Sequence, residues 1–162
     1  MSKNKSSKPF LSEYNVKLKE QERQQKSWYR GRHRTIMLDS AIQVLNLTSQ
    51  SSTGWVDIDL SGYTSTGTDQ ISDDTFCAIL YIALADSGGA TATPSAFFRK
   101  NGTTDAIGQL GTSCDHGHSH YMYSQGQVGL DSNYIFEYKL QAGGSNTMSI
   151  TVYLIGYIEQ LS

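Results

Sequence analysis

Phe76-Cys-Ala-Ile-Leu-Tyr-Ile-Ala-Leu-Ala85 is the longest apolar run in the chain, and the fold turns on how it is read. A helix needs about 20 apolar residues to cross a bilayer, roughly twice this length, so the run is not a membrane span. Turn-forming residues bound it: Asp73 and Asp74 precede it, and Asp86-Ser-Gly-Gly89 follows. A short continuous apolar run between such signals fits a strand at the centre of a sheet, covered on both sides. The segments around it have the same character, with Ser, Thr, Gly, Tyr and β-branched residues dominating everything after Thr35 and turn signals recurring at short intervals. Strands are expected at 41–47, 55–60, 76–85, 95–100, 103–110, 116–123, 125–130, 134–140 and 148–159. Arg99-Lys-Asn-Gly-Thr103 is the clearest hairpin signal, because Asn-Gly accepts the positive φ of a type I′ turn at little cost. The strands beside it should pair antiparallel.

No segment offers the crossover helices of a parallel sheet, and no fixed-period repeat supports a propeller or solenoid. The expected fold is therefore all-β, an antiparallel jelly-roll or β-sandwich of 8–9 strands occupying 39–162. It is preceded by a different kind of sequence. Of the thirteen Lys and Arg residues, ten lie in the first 34 positions, where they face only Glu13, Glu20 and Glu22, a net of +7. The remainder holds three cations, Arg99, Lys100 and Lys139, against twelve acids, a net of −9. Residues 1–38 thus read as a basic, extended and partly helical anchoring arm. Residues 1–9 are too polar to order alone, 12–27 are rich in helix formers, and Gly31 ends the helical stretch. The residues expected to grip a partner are Lys3, Lys5, Lys8, Phe10, Leu11, Tyr14, Leu18, Trp28, Tyr29, Arg30, Arg32 and Arg34.

An arm of this charge can seek phosphates or acidic protein. Its interspersed Glu residues and its fusion to a self-contained β body favour protein docking over nucleic acid. No hydrophobic secretory segment follows the N-terminal lysines, so residence in a cytoplasm is the default expectation. The two cysteines, Cys77 and Cys114, are too few for a secreted disulfide framework and are expected to be free thiols.

Catalytic signals are weak. Alternation puts Asp57 and Asp59 on the solvent side of the strand that buries Ile58 and Leu60, and there is no nucleophile elbow, phosphate loop or dinucleotide fingerprint, so no enzyme is expected. The most chemical-looking string is Cys114-Asp-His-Gly-His-Ser-His120. If extended, it aligns Cys114, His116, His118 and His120 on one face. Three readings stand: solvated imidazoles, which is the plainest and preferred; a divalent-metal site at His116, His118 and His120; or an interface that titrates near pH 6. Apart from that metal no cofactor is expected. Of the ten tyrosines, Tyr81, Tyr134, Tyr138, Tyr153 and Tyr157 fit half-buried strand positions, whereas Tyr63, Tyr121 and Tyr123 are the ones free to meet a ligand such as a glycan.

Three stretches together resemble tailed-phage virion proteins that carry a jelly-roll domain: Thr53-Gly-Trp-Val-Asp-Ile-Asp-Leu-Ser-Gly-Tyr63, Phe97-Phe-Arg-Lys-Asn-Gly-Thr103 and Tyr153-Leu-Ile-Gly-Tyr-Ile-Glu159. The resemblance covers roughly residues 40–160 and leaves the arm uncovered. It implies a tumour-necrosis-factor-like fold, commonly a homotrimer, displayed on a capsid or tail and carrying no catalytic residues. Joined to the charge division, it implies a capsid decoration or cement protein of the virion. The arm would dock on the major capsid protein or a neighbouring virion subunit, after assembly in the host cytoplasm. A receptor-binding or tail-tip protein recognising a host-surface glycan or protein is the alternative, and a nucleic-acid-binding protein the second.

Overall fold

In the computed structural model, residues 32–64, 67–68, 70–88, 93–105, 108–115 and 117–161 are described, and Arg34–Gln160 form one compact unit. The basic segment 1–31, with Lys3, Lys5, Lys8, Phe10, Leu11, Tyr14, Leu18, Trp28, Tyr29 and Arg30, lies outside the described residues, as does His116. The described residues form eight strands: β1 (His33–Gln50), β2 (Val56–Asp59), β3 (Thr75–Asp86), β4 (Ser95–Lys100), β5 (Leu110–Ser113), β6 (His118–Gly129), β7 (Ile135–Gln141) and β8 (Met148–Gln160). The described residues contain one helical element, the single 3-10 turn Ser61–Tyr63.

The strands form two four-stranded antiparallel sheets, ordered β1-β8-β3-β6 and β2-β7-β4-β5. Each of the first four strands pairs with its mirror image among the last four: β1 with β8, β2 with β7, β3 with β6, β4 with β5. This is one long antiparallel ribbon rolled up so that successive ribbon segments fall in alternate sheets, which is the jelly-roll arrangement. The ladders β3–β8 and β4–β7 then seal each sheet.

The run that opened the sequence reading is β3, central in its sheet. Its core face presents Ala78, Leu80, Ile82 and Leu84, all inaccessible to solvent. They meet Ile150, Val152 and Leu154 of β8, and Phe98, Phe136 and Leu140 of the opposite sheet. Side chains on the other face of β3 are covered too: Ile79, Ala83 and Ala85 are nearly inaccessible, while Tyr81 is half-buried. Phe76, at the start of the strand, is exposed.

Two small-residue positions allow neighbours to approach. A Cβ on Gly126 of β6 would sit 2.4 Å from Leu110 Cδ1, so this glycine lets the second sheet's Leu110 lie against β6. At Gly156 in β8 a Cβ would lie 2.5 Å from the backbone oxygen of Ile36 in β1 and 3.0 Å from Met37 Sδ. A backbone atom cannot swing aside as a side chain can. Gly156→Ala is therefore expected to force β1 and β8 apart and to cost about 2 kcal/mol, the scale of overpacking a tight site. Urea unfolding measures it, and a loss within about 0.5 kcal/mol contradicts the close approach.

The expected strands at 55–60, 76–85, 95–100, 134–140 and 148–159 are found within a residue or two. Four expectations are corrected. β1 is far longer than 41–47 and begins at His33, so residues 33–38 are strand rather than arm. The segments 116–123 and 125–130 are one strand, β6, because Ser124 and Gly126 stay within the ladder opposite Ile82 and Leu80. The described part of 103–109 is loop, and β4 pairs instead with β5 at 110–113. At the turn itself only Gly102 has positive φ, at 74°, so it is not type I′, which requires both central residues there. Arg99 Nη1 donates to the Asp105 carbonyl at 2.8 Å, and Asn101 Nδ2 donates to Asp131 at 2.8 Å, holding the segment as a loop.

Candidate docking surfaces

The body meets the basic segment at Arg34, the first residue of the compact unit. Its Nε donates to Glu159 Oε1 at 2.7 Å, and its Nη2 also pairs with that oxygen. Glu159 is almost fully buried at the end of β8, whereas the Arg34 side chain is more than half exposed. A hydrogen bond from Ser72, together with the Arg34 guanidinium, holds the Glu159 carboxyl below the usual carboxylate range, against burial pushing it up. The folded-state pKa is depressed, so the contribution is complete above the ordinary glutamate pKa and is lost as pH falls through the lowered one. Ser72→Ala and Arg34→Ala should each move the Glu159 titration upward. Carbon-detected NMR titration of the Glu159 carboxyl checks this, and an unmoved midpoint in both variants contradicts the assignment. Arg34, expected from sequence to grip a partner, is thus engaged at home. Arg32 is exposed.

The two sheets present outer faces of different chemistry. On the β2-β7-β4-β5 sheet, the Trp55 ring carries the Arg99 guanidinium 4.0 Å from its centroid and Lys139 Nζ at 5.9 Å. Arg99 Nε donates to Glu137 Oε2 at 2.7 Å, with both side chains mostly buried. The three cations of the acidic body, Arg99, Lys100 and Lys139, all sit on β4 and β7. Asp57 and Asp59 are exposed while Ile58 and Leu60 are buried, as alternation requires, and Asp59 Oδ1 caps the following turn by accepting from Ser61 N–H at 2.7 Å.

On the β1-β8-β3-β6 sheet the outer face is aromatic. Tyr121 and Tyr123 alternate along β6 and are 40% and 62% exposed, as their pattern suggested. Tyr123 stacks on Tyr81 of β3 at 5.7 Å between ring centroids, Tyr121 stacks on Tyr123 at 6.4 Å, and Tyr153 of β8 leans on Tyr81 at 6.4 Å. Tyr81 and Tyr153 are directly opposite in the β3–β8 ladder. The sequence marked Tyr121 and Tyr123 but assigned Tyr81 and Tyr153 to packing; the i, i+2 spacing at 121 and 123 was the available signal, and the strands that complete the group are remote in sequence. Tyr63, also marked as free, packs half-buried against the core, and Tyr134 precedes β7, its hydroxyl donating to the Asp73 carbonyl at 2.7 Å.

The histidine string is not one extended strand. Gly117 turns the chain at φ 75°, Cys114 is buried before it, and β6 begins at His118. Within β6, His120 is exposed. No group of three metal-ligating side chains assembles among the described residues. Both cysteines are free; burial first, then the Asp86 and Asp115 charges, push Cys114 up to about 11, and burial raises Cys77. No protein-family model matches the chain, and no curated protein matches it in sequence.

Proposed function

We propose that this chain is a structural protein of a virus particle, of the capsid-decoration class. Its basic segment docks on an acidic protein surface, the major capsid protein or a neighbouring virion subunit, and its jelly-roll body is displayed there in multimers, the homotrimer being the expected form. The observation that carries the reading is the charge division: a net of +7 over residues 1–34, joined directly to a body of net −9. A −9 body by itself is repelled by an acidic shell, so attachment falls to the arm. The rolled two-sheet architecture supports the reading as a rigid, self-contained module, as do the three motifs that resemble those of phage virion proteins.

The mechanism is linkage. A segment that binds the assembled shell and not its separated subunits stabilises the shell by mass action, and joining several arms in one multimer raises their effective concentration at the surface. The test is re-decoration of stripped capsids by the full chain in rising salt. Exposed charges are screened within about 10 Å at 0.1 M, so occupancy should fall steadily as salt is added. Occupancy indifferent to salt, or tighter binding to duplex DNA than to capsids, contradicts the reading.

A further inference from the structure

The Asn101-Gly102 pair after β4 carries a chemistry that the proposed function does not use. An asparagine amide can be attacked by the backbone nitrogen that follows it, and glycine, having no side chain, leaves that nitrogen unscreened. Every other asparagine of the chain is followed by a residue with a side chain. The fold leaves the nucleophile open. Gly102 is exposed at φ 74°, its N–H meets no acceptor among the described residues, and a Cβ built on it would meet no atom within 4 Å. The electrophile, by contrast, is held. Asn101 is half-buried, and its Nδ2 donates to Asp131 Oδ2 at 2.8 Å, a charge-assisted bond that ties this turn to the turn before β7. The other oxygen of Asp131 accepts from the Asn133 and Ile135 amides at 2.8 and 2.9 Å. Burial pushes the Asp131 carboxyl up, but the Ile135 amide, Asn101, the Asn133 amide and the Lys100 charge outweigh it and hold the group below the usual carboxylate range.

We propose that Asn101 is a self-modification site, a slow timer that the Asp131 carboxylate restrains and whose product acts back on Asp131. The Gly102 nitrogen gives its proton to water and attacks Asn101 Cγ. The Cγ–Nδ2 bond breaks, water returns a proton to the departing ammonia, and a succinimide ring closes. Water then opens the ring at either carbonyl, leaving aspartate in an unchanged backbone or isoaspartate in a backbone one methylene longer. The steps exchange ammonia for water and change no oxidation state. Their result inverts the contact: the donor facing Asp131 becomes a second carboxylate, and two carboxylates within hydrogen-bond reach oppose each other's charge, with Lys100 as the cation beside them. A tie between two turns is thereby converted, in one direction, into a repulsion. The inference concerns the body alone and is independent of the arm's docking.

The test is incubation of the full chain in warm neutral buffer, with each asparagine followed by peptide mass spectrometry and isoaspartate by enzymatic methylation. Asn101 is expected to convert ahead of every other asparagine, and NMR titration of the converted chain should place the Asp131 midpoint higher than in the fresh one. Asp131→Ala should speed conversion about tenfold, the scale on which losing a hydrogen bond to a charged group frees the amide. Asp131→Asn keeps an acceptor for the 133 and 135 amides, so it should speed conversion by less while preserving the far-ultraviolet spectrum. Three results overturn the proposal: Asn101 converting no sooner than the other asparagines, an Asp131 midpoint unmoved by conversion, or wild-type rates in both Asp131 variants.

Discussion

Asp86→Ala is expected to lower the stability of the body by about 4 kcal/mol, because it strands the buried Gly88 amide and the partly buried Gly143 amide, each costing about 1–3 kcal/mol when unpaired. Asp86 closes β3 and is 1% exposed. Its Oδ1 accepts from the Gly88 N–H and its Oδ2 from the Gly143 N–H, both at 2.6 Å. One carboxylate thereby ties the loop after β3 to the loop between β7 and β8. The junction is tight as well: a Cβ on Gly88 would meet Thr147 Oγ1 at 2.7 Å and Gly144 N at 2.9 Å, so water has no ready way to replace the lost acceptor. Ser87 N–H also donates to the Thr147 carbonyl, and Thr147 N–H to Gln50 of β1. Loosening this corner therefore reaches the edge strand β1. For a domain of this size the loss corresponds to a melting point roughly 12–16 °C lower. Asp86→Asn keeps one acceptor and should lose about half as much. An alanine variant within about 1 kcal/mol of wild type contradicts the role. The same change removes one of the charges that raise the Cys114 pKa, so thiol alkylation at high pH should quicken in parallel.

The fold was legible where local pattern and tertiary role agree. The run at 76–85 is apolar on both faces because β3 is central and both faces are covered, and 95–100 is bounded by Pro94 and the Asn101-Gly102 turn, so β4 matched to the residue. Where the pattern failed, a long-range partner had overridden it. Ser124 and Gly126 look like a break between two strands, yet both stay in the β3–β6 ladder, and the missing Cβ of Gly126 is what admits Leu110 from the other sheet. Asn-Gly looks like a two-residue hairpin, yet Asn101 is spent on Asp131, and that carboxylate also caps the 131–135 turn by accepting from the Asn133 and Ile135 amides. The polar start of β1 gave little strand signal, since its outward residues are exposed and its inward ones only half-buried. The tyrosine face was half legible for the same reason. Spacing exposes Tyr121 and Tyr123, but only the register between β3, β6 and β8 brings Tyr81 and Tyr153 beside them.

The second large effect concerns the arm. Removing residues 1–31 leaves all eight strands intact while deleting eight of the ten cations of the basic segment, with Arg32 and Arg34 retained. The retained Arg34 is held by Glu159 and keeps its role in the body. The body should melt within about 1 °C of its value in the full chain, since the eight described strands and the buried core cluster all lie within 33–160. Affinity for the shell should fall by at least about a hundredfold, because the deletion removes both the charge that steers the acidic body to an acidic surface and the aromatic and aliphatic side chains, Phe10, Leu11, Tyr14, Leu18, Trp28 and Tyr29, that would anchor it. Charge reversal within the arm should slow association more than it speeds dissociation, whereas truncation of Trp28 should act chiefly on dissociation.

The most direct measurement is the occupancy of capsids by the chain lacking residues 1–31, compared with the full chain at equal concentration and low salt. The account predicts bare capsids alongside a folded, still multimeric body in solution. Full occupancy by the truncated chain would contradict it and move the docking surface onto the jelly roll itself.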